Sequence, residues 1–134
     1  MVEVINDLLG YDGLKIIQNP EMFHFSLDSS LLGDFVTINP QDKRILDIGT
    51  GNGPIPLFLS LRTNALIDGI EIQGKLSDLA ARSVKLNNLE HQINIIHDDV
   101  RGYHKKVGVS KSDVITCNPP YFKHKEESNI NKYD

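Results

Sequence analysis

The stretch Asn118-Pro119-Pro120-Tyr121 brings together residue types that can act on a flat amino group. It offers the amide oxygen of Asn118, the main-chain carbonyl of Pro119 and the aromatic ring of Tyr121. Two successive prolines rigidify the chain and remove two main-chain donors, which leaves carbonyls free to accept hydrogen bonds from elsewhere. The same four residues would also make a plain rigid turn, so their role depends on what surrounds them.

These groups suit methyl transfer to a planar amino nitrogen, whose delocalised lone pair is a poor nucleophile. Two acceptors that bind its two hydrogens favour a pyramidal nitrogen and raise its electron density as the transition state forms. Stacking on the Tyr121 ring can hold the plane in line with the incoming methyl group. We therefore predict Asn118, Pro119 and Tyr121 as catalytic residues, with no general base required before attack.

A second candidate site is the run Asp47-Ile48-Gly49-Thr50-Gly51-Asn52-Gly53. Glycines permit a sharp strand-to-helix turn and let a ligand approach the main chain closely. The spacing differs from the G-x-G-x-x-G of dinucleotide-binding loops, which argues against a nicotinamide oxidoreductase. An aspartate at this point would repel a pyrophosphate but would suit a ligand with a cationic amino group. We predict cofactor binding by Asp47, Gly49, Gly51 and Gly53.

Further acids end the two apolar runs that follow this loop. Glu71 closes the run "ALIDGIE", and a carboxylate there can accept hydrogen bonds from both ribose hydroxyls of a nucleoside. Asp98 and Asp99 close the run "QINIIHDD", where they form either part of a site or a paired acidic surface turn.

The elements around these motifs alternate between strands and helices. Continuous apolar runs predict buried strands, and apolar residues at helical spacing predict helices; the strands fall at 44–49, 65–72, 92–99 and 112–118, and the helices at 53–61 and 74–89. Such alternation is typical of a parallel α/β sheet with right-handed crossovers. The candidate residues then share the carboxyl edge of the sheet, where ligands bind in doubly wound folds.

The first forty residues follow a different pattern. Residues 14–18 and 22–26 are short apolar-rich runs on either side of a turn-forming Asn-Pro-Glu, which predicts a hairpin. Residues 27–38 then show helical spacing, with Asp28 or Ser29 as the N-cap.

Length and composition fit one α/β domain spanning residues 1–134. A net charge of -4 lacks the basic signature of a dedicated nucleic-acid binder, although a local patch can still bind RNA. The single cysteine, Cys117, excludes an internal disulfide and suits a reducing compartment. No signal peptide, membrane span or metal-ligand spacing of histidines is evident, so we expect a cytoplasmic protein without membrane or metal partners.

The glycine loop and the Asn-Pro-Pro-Tyr stretch resemble motifs I and IV of the class I S-adenosylmethionine-dependent methyltransferases that act on amino groups. The resemblance implies S-adenosylmethionine as the cofactor, with the loop beneath it and Asp47 orienting its methionine part. It also implies that Asp99 holds the adenine amino group and that Asn118 contacts the cofactor. The implied fold is a Rossmann-like sheet, here incomplete at about four parallel strands, after a short N-terminal hairpin and helix.

The phrase Phe25-Ser26-Leu27-Asp28-Ser29-Ser30-Leu31-Leu32 narrows this resemblance. It is similar to the opening of bacterial adenine-N6 methyltransferases that modify a valine tRNA beside the anticodon. The resemblance implies an RNA partner, with tRNA as the first candidate. Guanine N2 in ribosomal RNA and glutamine N5 in a protein remain alternatives, as does a catalytically silent S-adenosylmethionine-binding fragment.

One departure concerns the end of the chain. The family fold has about seven strands, three of them after motif IV, whereas this sequence stops soon after its fourth predicted strand. We expect a hairpin and helix in 1–40, a core in 43–134 and a missing C-terminal part of the fold. The strand at 112–118 would then be an open edge that favours self-association.

Overall fold

The computed structural model of the chain describes residues 3–8, 11–19, 36–102 and 112–117. The predicted strand at 22–26, most of the predicted helix at 27–38 and the Asn-Pro-Pro-Tyr stretch lie outside these residues. In chain order the elements are β1 Val4–Leu8, β2 Tyr11–Gln18, β3 Arg44–Ile48, α1 Pro54–Ser60, β4 Leu66–Glu71, α2 Gly74–Leu86, β5 Ile93–His97 and β6 Val114–Cys117.

Four parallel strands form the central sheet in the order β5-β4-β3-β6. The two middle strands are β3 and β4, and most of their residues are buried because helices and neighbouring strands cover them. The predicted α/β class, the four strands and both helices are therefore confirmed.

The helices pack where their sequences predict. Helix α1 carries both of its prolines in the first turn, where no helical hydrogen bond is lost, and its first six residues are all buried. Helix α2 buries one face through Leu76, Leu79, Ala80 and Val84. The main core cluster consists of Ile16, Ile45, Ile55, Leu57, Phe58, Leu59, Ala65, Ile67, Val84 and Ile93. No helix among the described residues is long and apolar enough to cross a membrane.

The two strands β1 and β2 form an N-terminal hairpin. Residues 14–18 form part of β2, whose antiparallel partner is the upstream strand β1. The predicted partner, residues 22–26, lies outside the described residues. Cross-strand contacts reinforce this pairing: Asn6 Nδ2 donates to Gln18 Oε1 over 2.7 Å, and Lys15 pairs with Asp7. The sequence analysis did not predict β1, because its residues have no clear apolar alternation.

Polar side chains fix β2 on the side away from β1. The N–H of Ile17 donates to Ser83 Oγ over 2.9 Å, and the side-chain amide of Asn87 both donates to and accepts from the main chain of Lys15. On the same edge, Asn52 Nδ2 of the glycine loop donates to the carbonyl of Ile17. Side chains of α2 and of the loop thus replace a neighbouring strand, and they fix the hairpin against the loop.

Strand β6 is the last strand on its side of the described sheet. Its Ile115 is 47 % exposed, although the strand is apolar in sequence. A strand whose outer edge is unpaired is a template for pairing with another chain. The self-association that we expect from it remains a prediction.

Candidate active site

The carboxyl edge of the sheet collects the candidate residues that the structure describes. The glycine loop leaves β3, Glu71 ends β4, Asp99 follows β5, and Cys117 ends β6. The predicted catalytic residues Asn118, Pro119 and Tyr121 lie outside the described residues. The last described residue, Cys117, immediately precedes them in the chain.

The glycine loop needs its glycines. Gly49, Gly51 and Gly53 have φ angles of 69, 61 and 94°, in the left-handed region that residues with a Cβ rarely adopt. At Gly53 an added Cβ would also lie 3.3 Å from the Cβ of Ala80, so the loop packs directly on α2. Main-chain hydrogen bonds from Gly49 and Thr50 to the carbonyl of Ile70, at 2.9 and 3.0 Å, tie the loop to β4.

Asp47 lies beneath this loop with no exposed surface. Its Oδ2 accepts a hydrogen bond from Thr50 Oγ1, and its Oδ1 accepts one from Thr116 Oγ1, both over 2.6 Å. Burial raises the pKa of Asp47 to about 6, against the opposing effect of the two hydroxyl donors, and the nearby carboxylate of Glu71 raises it further. The structure shows these threonine contacts; the contact of Asp47 with a cofactor stays a prediction.

Glu71 is buried at the end of β4, with an exposed fraction of 5 %. Its Oε1 accepts a hydrogen bond from the N–H of Gly51 over 2.8 Å, and its Oε2 accepts one from the N–H of Gln73 over 2.9 Å. The two predicted cofactor-binding groups, loop and acid, are therefore in direct contact. A carboxylate has about four lone-pair positions, so two further donors can still be accepted.

Asp98 and Asp99 form a turn after β5. The N–H of Asp98 donates to the carbonyl of Glu71 over 3.1 Å, which joins this turn to β4. Asp99 accepts hydrogen bonds from the guanidinium and the N–H of Arg101, and chiefly the side-chain bond lowers the pKa of Asp99 to about 2. Asp99 is thus a carboxylate near neutral pH, as an acceptor for an amino group must be.

The sequence prediction missed Thr116. It reads as one polar residue in the apolar run "VITC", and nothing local marks it as a partner of Asp47. The signal is the register of the parallel pair, in which Asp47 lies beside Thr116 on the same face. That register becomes available only once the order of the strands is known.

The structure describes two of the five histidines, His91 and His97. Among the described residues, no group of three or more His, Cys, Asp or Glu side chains can hold an ion. The ring of His97 lies at the end of β5, with Nε2 at 3.1 Å from the carbonyl of Ile72.

Comparison with known families assigns the chain. A family model described as "Methyltransferase small domain" matches residues 13–132, which is most of the sequence. The chain belongs to the methyltransferase small-domain family. The matched residues include both the glycine loop and the Asn-Pro-Pro-Tyr stretch.

Among curated proteins, the chain is 38 % identical over 95 residues to the tRNA1(Val) (adenine(37)-N6)-methyltransferase of Bacteroides fragilis strain YCH46. It is 35 % identical over 104 residues to the enzyme with the same name from Aliivibrio salmonicida strain LFI1238. These matches cover 71 % and 77 % of this chain but 40 % and 43 % of the relatives. The chain therefore spans about two fifths of the length of the curated relatives it matches.

Solved structures of similar fold include the Pyrococcus abyssi tRNA (uracil-54, C5)-methyltransferase in complex with S-adenosyl-L-homocysteine. Its TM-score is 0.66 at 19 % identity, and the match covers 88 % of this chain and 28 % of that one. An RNA methyltransferase from Salinibacter ruber, also in complex with S-adenosyl-L-homocysteine, has a TM-score of 0.58 at 17 % identity. That match covers 84 % of this chain and 68 % of the Salinibacter chain. At these identities the matches show the fold, and they confirm the predicted Rossmann-like methyltransferase sheet.

Proposed function

We propose that the protein transfers a methyl group from S-adenosylmethionine to an exocyclic amino group, namely N6 of an adenine in tRNA. The observation that carries this proposal is family membership together with an Asn-Pro-Pro-Tyr stretch directly after β6. The curated relatives named as adenine-N6 methyltransferases of a valine tRNA support the choice of base and of RNA.

The residues at the sheet edge fit this cofactor. An added Cβ at Gly49 would meet no described atom within 4 Å, so the loop presents bare main chain toward open space. Glu71 keeps acceptor capacity for ribose hydroxyls, and Asp99 is a carboxylate that can accept from the adenine amino group. Gly51 and Gly53 shape the loop, and Asp47 supports it from below through Thr50.

When bound, S-adenosylmethionine supplies an electrophilic methyl group. The work of this chain is then to bind and orient the amino group. Asn118 Oδ1 and the carbonyl of Pro119 accept its two hydrogens, and Tyr121 stacks on the base. Asn118 also lies close enough in sequence to the carboxyl edge to contact the cofactor, which completes the set of proposed site residues.

We further propose one domain over residues 1–134, with the hairpin in its N-terminal part and the methyltransferase core from residue 43 onward. The lone cysteine and a tRNA substrate both favour the cytoplasm.

Two measurements test the proposal. Calorimetric titration compares S-adenosylmethionine with NADH, and tighter binding of NADH would end the methyltransferase assignment. Transfer of a labelled methyl group to unmodified bulk tRNA then tests the substrate, with the labelled base identified as N6-methyladenine after digestion. Label in ribosomal RNA as N2-methylguanine, or in release factor on glutamine, would move the substrate to one of those classes.

A further inference from the structure

A buried carboxylate connects the glycine loop to the strand that precedes Asn118. We name the set Thr50, Asp47 and Thr116 the Asp47 bridge. Thr50 Oγ1 donates to one carboxylate oxygen and Thr116 Oγ1 to the other, each over 2.6 Å. All three residues are buried, at 3, 0 and 3 % exposure in that order.

Each end of the bridge borders a proposed part of the site. Thr50 lies between Gly49 and Gly51 in the loop, while Thr116 precedes Asn118 by two positions. Two virtual bonds limit the Cα atoms of Thr116 and Asn118 to roughly 7 Å apart. The bridge therefore lies two residues before Asn118, which with the carbonyl of Pro119 forms the pair of proposed acceptors that we name the amino-group clamp.

The neighbouring strands provide the register and the space that the Asp47 bridge needs. Asp47 and Thr116 are direct partners in the parallel register of β3 and β6. On the other side, an added Cβ at Gly69 of β4 would come within 2.9 Å of Thr50 Oγ1, so a glycine leaves the room that this side chain needs. The neighbouring groups that carry or can carry charge are Glu71 on β4 and the Cys117 thiol on β6.

Packing alone does not require this arrangement. An apolar residue at position 47 would fill a buried strand without the cost of desolvating a carboxylate, and such replacements are often neutral or stabilising. The raised pKa of Asp47 means that burial destabilises the charged form of this side chain. A buried charge with two directed donors fixes relative position more tightly than an apolar contact does, because its hydrogen bonds have narrow geometry.

We propose that Thr116 is a positioning residue for methyl transfer: through Asp47 and Thr50 it holds the start of the amino-group clamp in register with the cofactor loop. This inference rests on the proposed function, since it presumes a cofactor on the loop and an acceptor at Asn118. Misplacement of the clamp would slow the chemical step and leave cofactor binding intact, because Thr116 is buried and its hydroxyl is used by Asp47.

The test compares Thr116→Val, which keeps the shape and removes the hydroxyl, with Thr116→Ser, which keeps the hydroxyl. We expect Thr116→Val to lower kcat by about tenfold to a hundredfold while the Kd for S-adenosylmethionine stays within about threefold. Thr116→Ser should retain kcat within about threefold of the wild type. The second readout needs no turnover. Saturation with S-adenosylhomocysteine should slow amide hydrogen exchange in β6 in the wild type and in Thr116→Ser, but not in Thr116→Val.

Folding is controlled by a second pair of variants. Asp47→Asn can still accept from one threonine and donate to the other, and it removes the buried charge that a lost donor would leave poorly solvated. The double variant Asp47→Asn/Thr116→Val is therefore compared with Asp47→Asn alone, in a protein where loss of the threonine donor leaves no buried charge. The same loss of kcat and of β6 protection is expected there.

An unchanged kcat in Thr116→Val would overturn the positioning role, as would a Thr116→Ser variant that behaves like Thr116→Val. Parallel loss of cofactor affinity and kcat would make the residue structural. A wild-type protein that binds no S-adenosylmethionine would instead overturn the proposed function itself, and this outcome is seen before any variant is made.

Discussion

The carboxylate of Glu71 accepts a hydrogen bond from the main-chain N–H of Gly51 over 2.8 Å and thereby joins the end of β4 to the loop that follows β3. Its other oxygen accepts from the N–H of Gln73, at the start of α2. The acid that we propose for the ribose hydroxyls thus also sets the shape of the loop on which the cofactor would lie. In the proposed function, binding and loop order would therefore be coupled through one side chain.

Glu71→Gln should weaken both the binding of the cofactor and the attachment of the loop to β4. The amide offers one acceptor oxygen in place of two, so one buried N–H loses its partner, at a cost of about 1–3 kcal/mol in the free energy of unfolding. We expect the affinity for S-adenosylmethionine to fall by about tenfold or more, because a hydrogen bond to a charged group is lost. Denaturant unfolding and calorimetry measure the two effects. Glu90→Gln, the same change at an exposed position, is the control and should alter neither quantity.

Docking of the hairpin should depend on Ser83. Its hydroxyl accepts from the buried N–H of Ile17, so Ser83→Ala orphans a main-chain donor and should lower the free energy of unfolding by about 1–3 kcal/mol. Ser77→Ala is a matched control on the same helix. The Ser77 hydroxyl donates to the carbonyl of Gly74 within α2, and its removal leaves no main-chain donor without a partner. Equal losses in urea denaturation would show that the contact with Ile17 contributes nothing.

The glycine loop should resist a methyl group at Gly53. Gly53→Ala places a residue with a Cβ at a φ of 94° and within 3.3 Å of the Ala80 Cβ. The backbone strain alone costs roughly 1–3 kcal/mol, and the crowding adds to it. Gly13→Ala separates the two effects, since Gly13 has a φ of 89° but no described atom near an added Cβ. The difference in unfolding midpoints between the two variants measures the effect of the contact with α2. Equal midpoints would mean that the loop shifts to accept the methyl group without loss of stability.

Burial of Asp47 predicts a pH dependence of stability. Its folded pKa of about 6 lies above the ordinary value of 3.8, so between these values the folded state binds a proton that the unfolded state does not. Stability from this group is therefore greatest below about pH 4 and falls as pH rises to about 6, by roughly 3 kcal/mol. Asp47→Asn removes the titration and should remove this slope.

The measurement is urea denaturation of both proteins at intervals from pH 4 to pH 7. Asp99 and Asp113 are present in both proteins, so their contributions to the pH dependence cancel in the difference between the two profiles. Their pKa values are lowered, and their contributions to stability are therefore lost only at more acid pH. Parallel pH profiles for the wild type and the variant would show that Asp47 is ionised throughout the range.

Removal of the Asn118 amide tests the proposed clamp. Asn118→Ala should abolish methyl transfer to tRNA, because one of the two acceptors for the amino hydrogens is lost in the transition state. The Kd for S-adenosylmethionine should change by no more than a few fold. Labelled-methyl transfer and calorimetry are run on the same preparation. Simultaneous loss of both would mean that the residue is structural. Asn64→Ala, at an exposed position before β4, is the matched control.

Local sequence patterns were sufficient for the framework of the site. Continuous apolar runs specify the parallel strands because both faces of such a strand are buried. The glycine spacing after Asp47 specified a turn that only glycine can make, and all three glycines indeed have positive φ. Since parallel strands end at a common edge, the same patterns also placed Glu71 and Asp99 at the sheet edge from which the loop leaves.

The tertiary structure decided what those residues touch. The pairing of β2 with β1 has no local signature in the sequence, and neither do the contacts that Ser83, Asn87 and Asn52 make along the other edge of β2. Likewise Asp47 and Thr116 are 69 positions apart, and their contact exists only because β3 and β6 are neighbours in register. Apolar periodicity fixes which face of an element is buried, but partners distant in the chain are selected by strand order and packing.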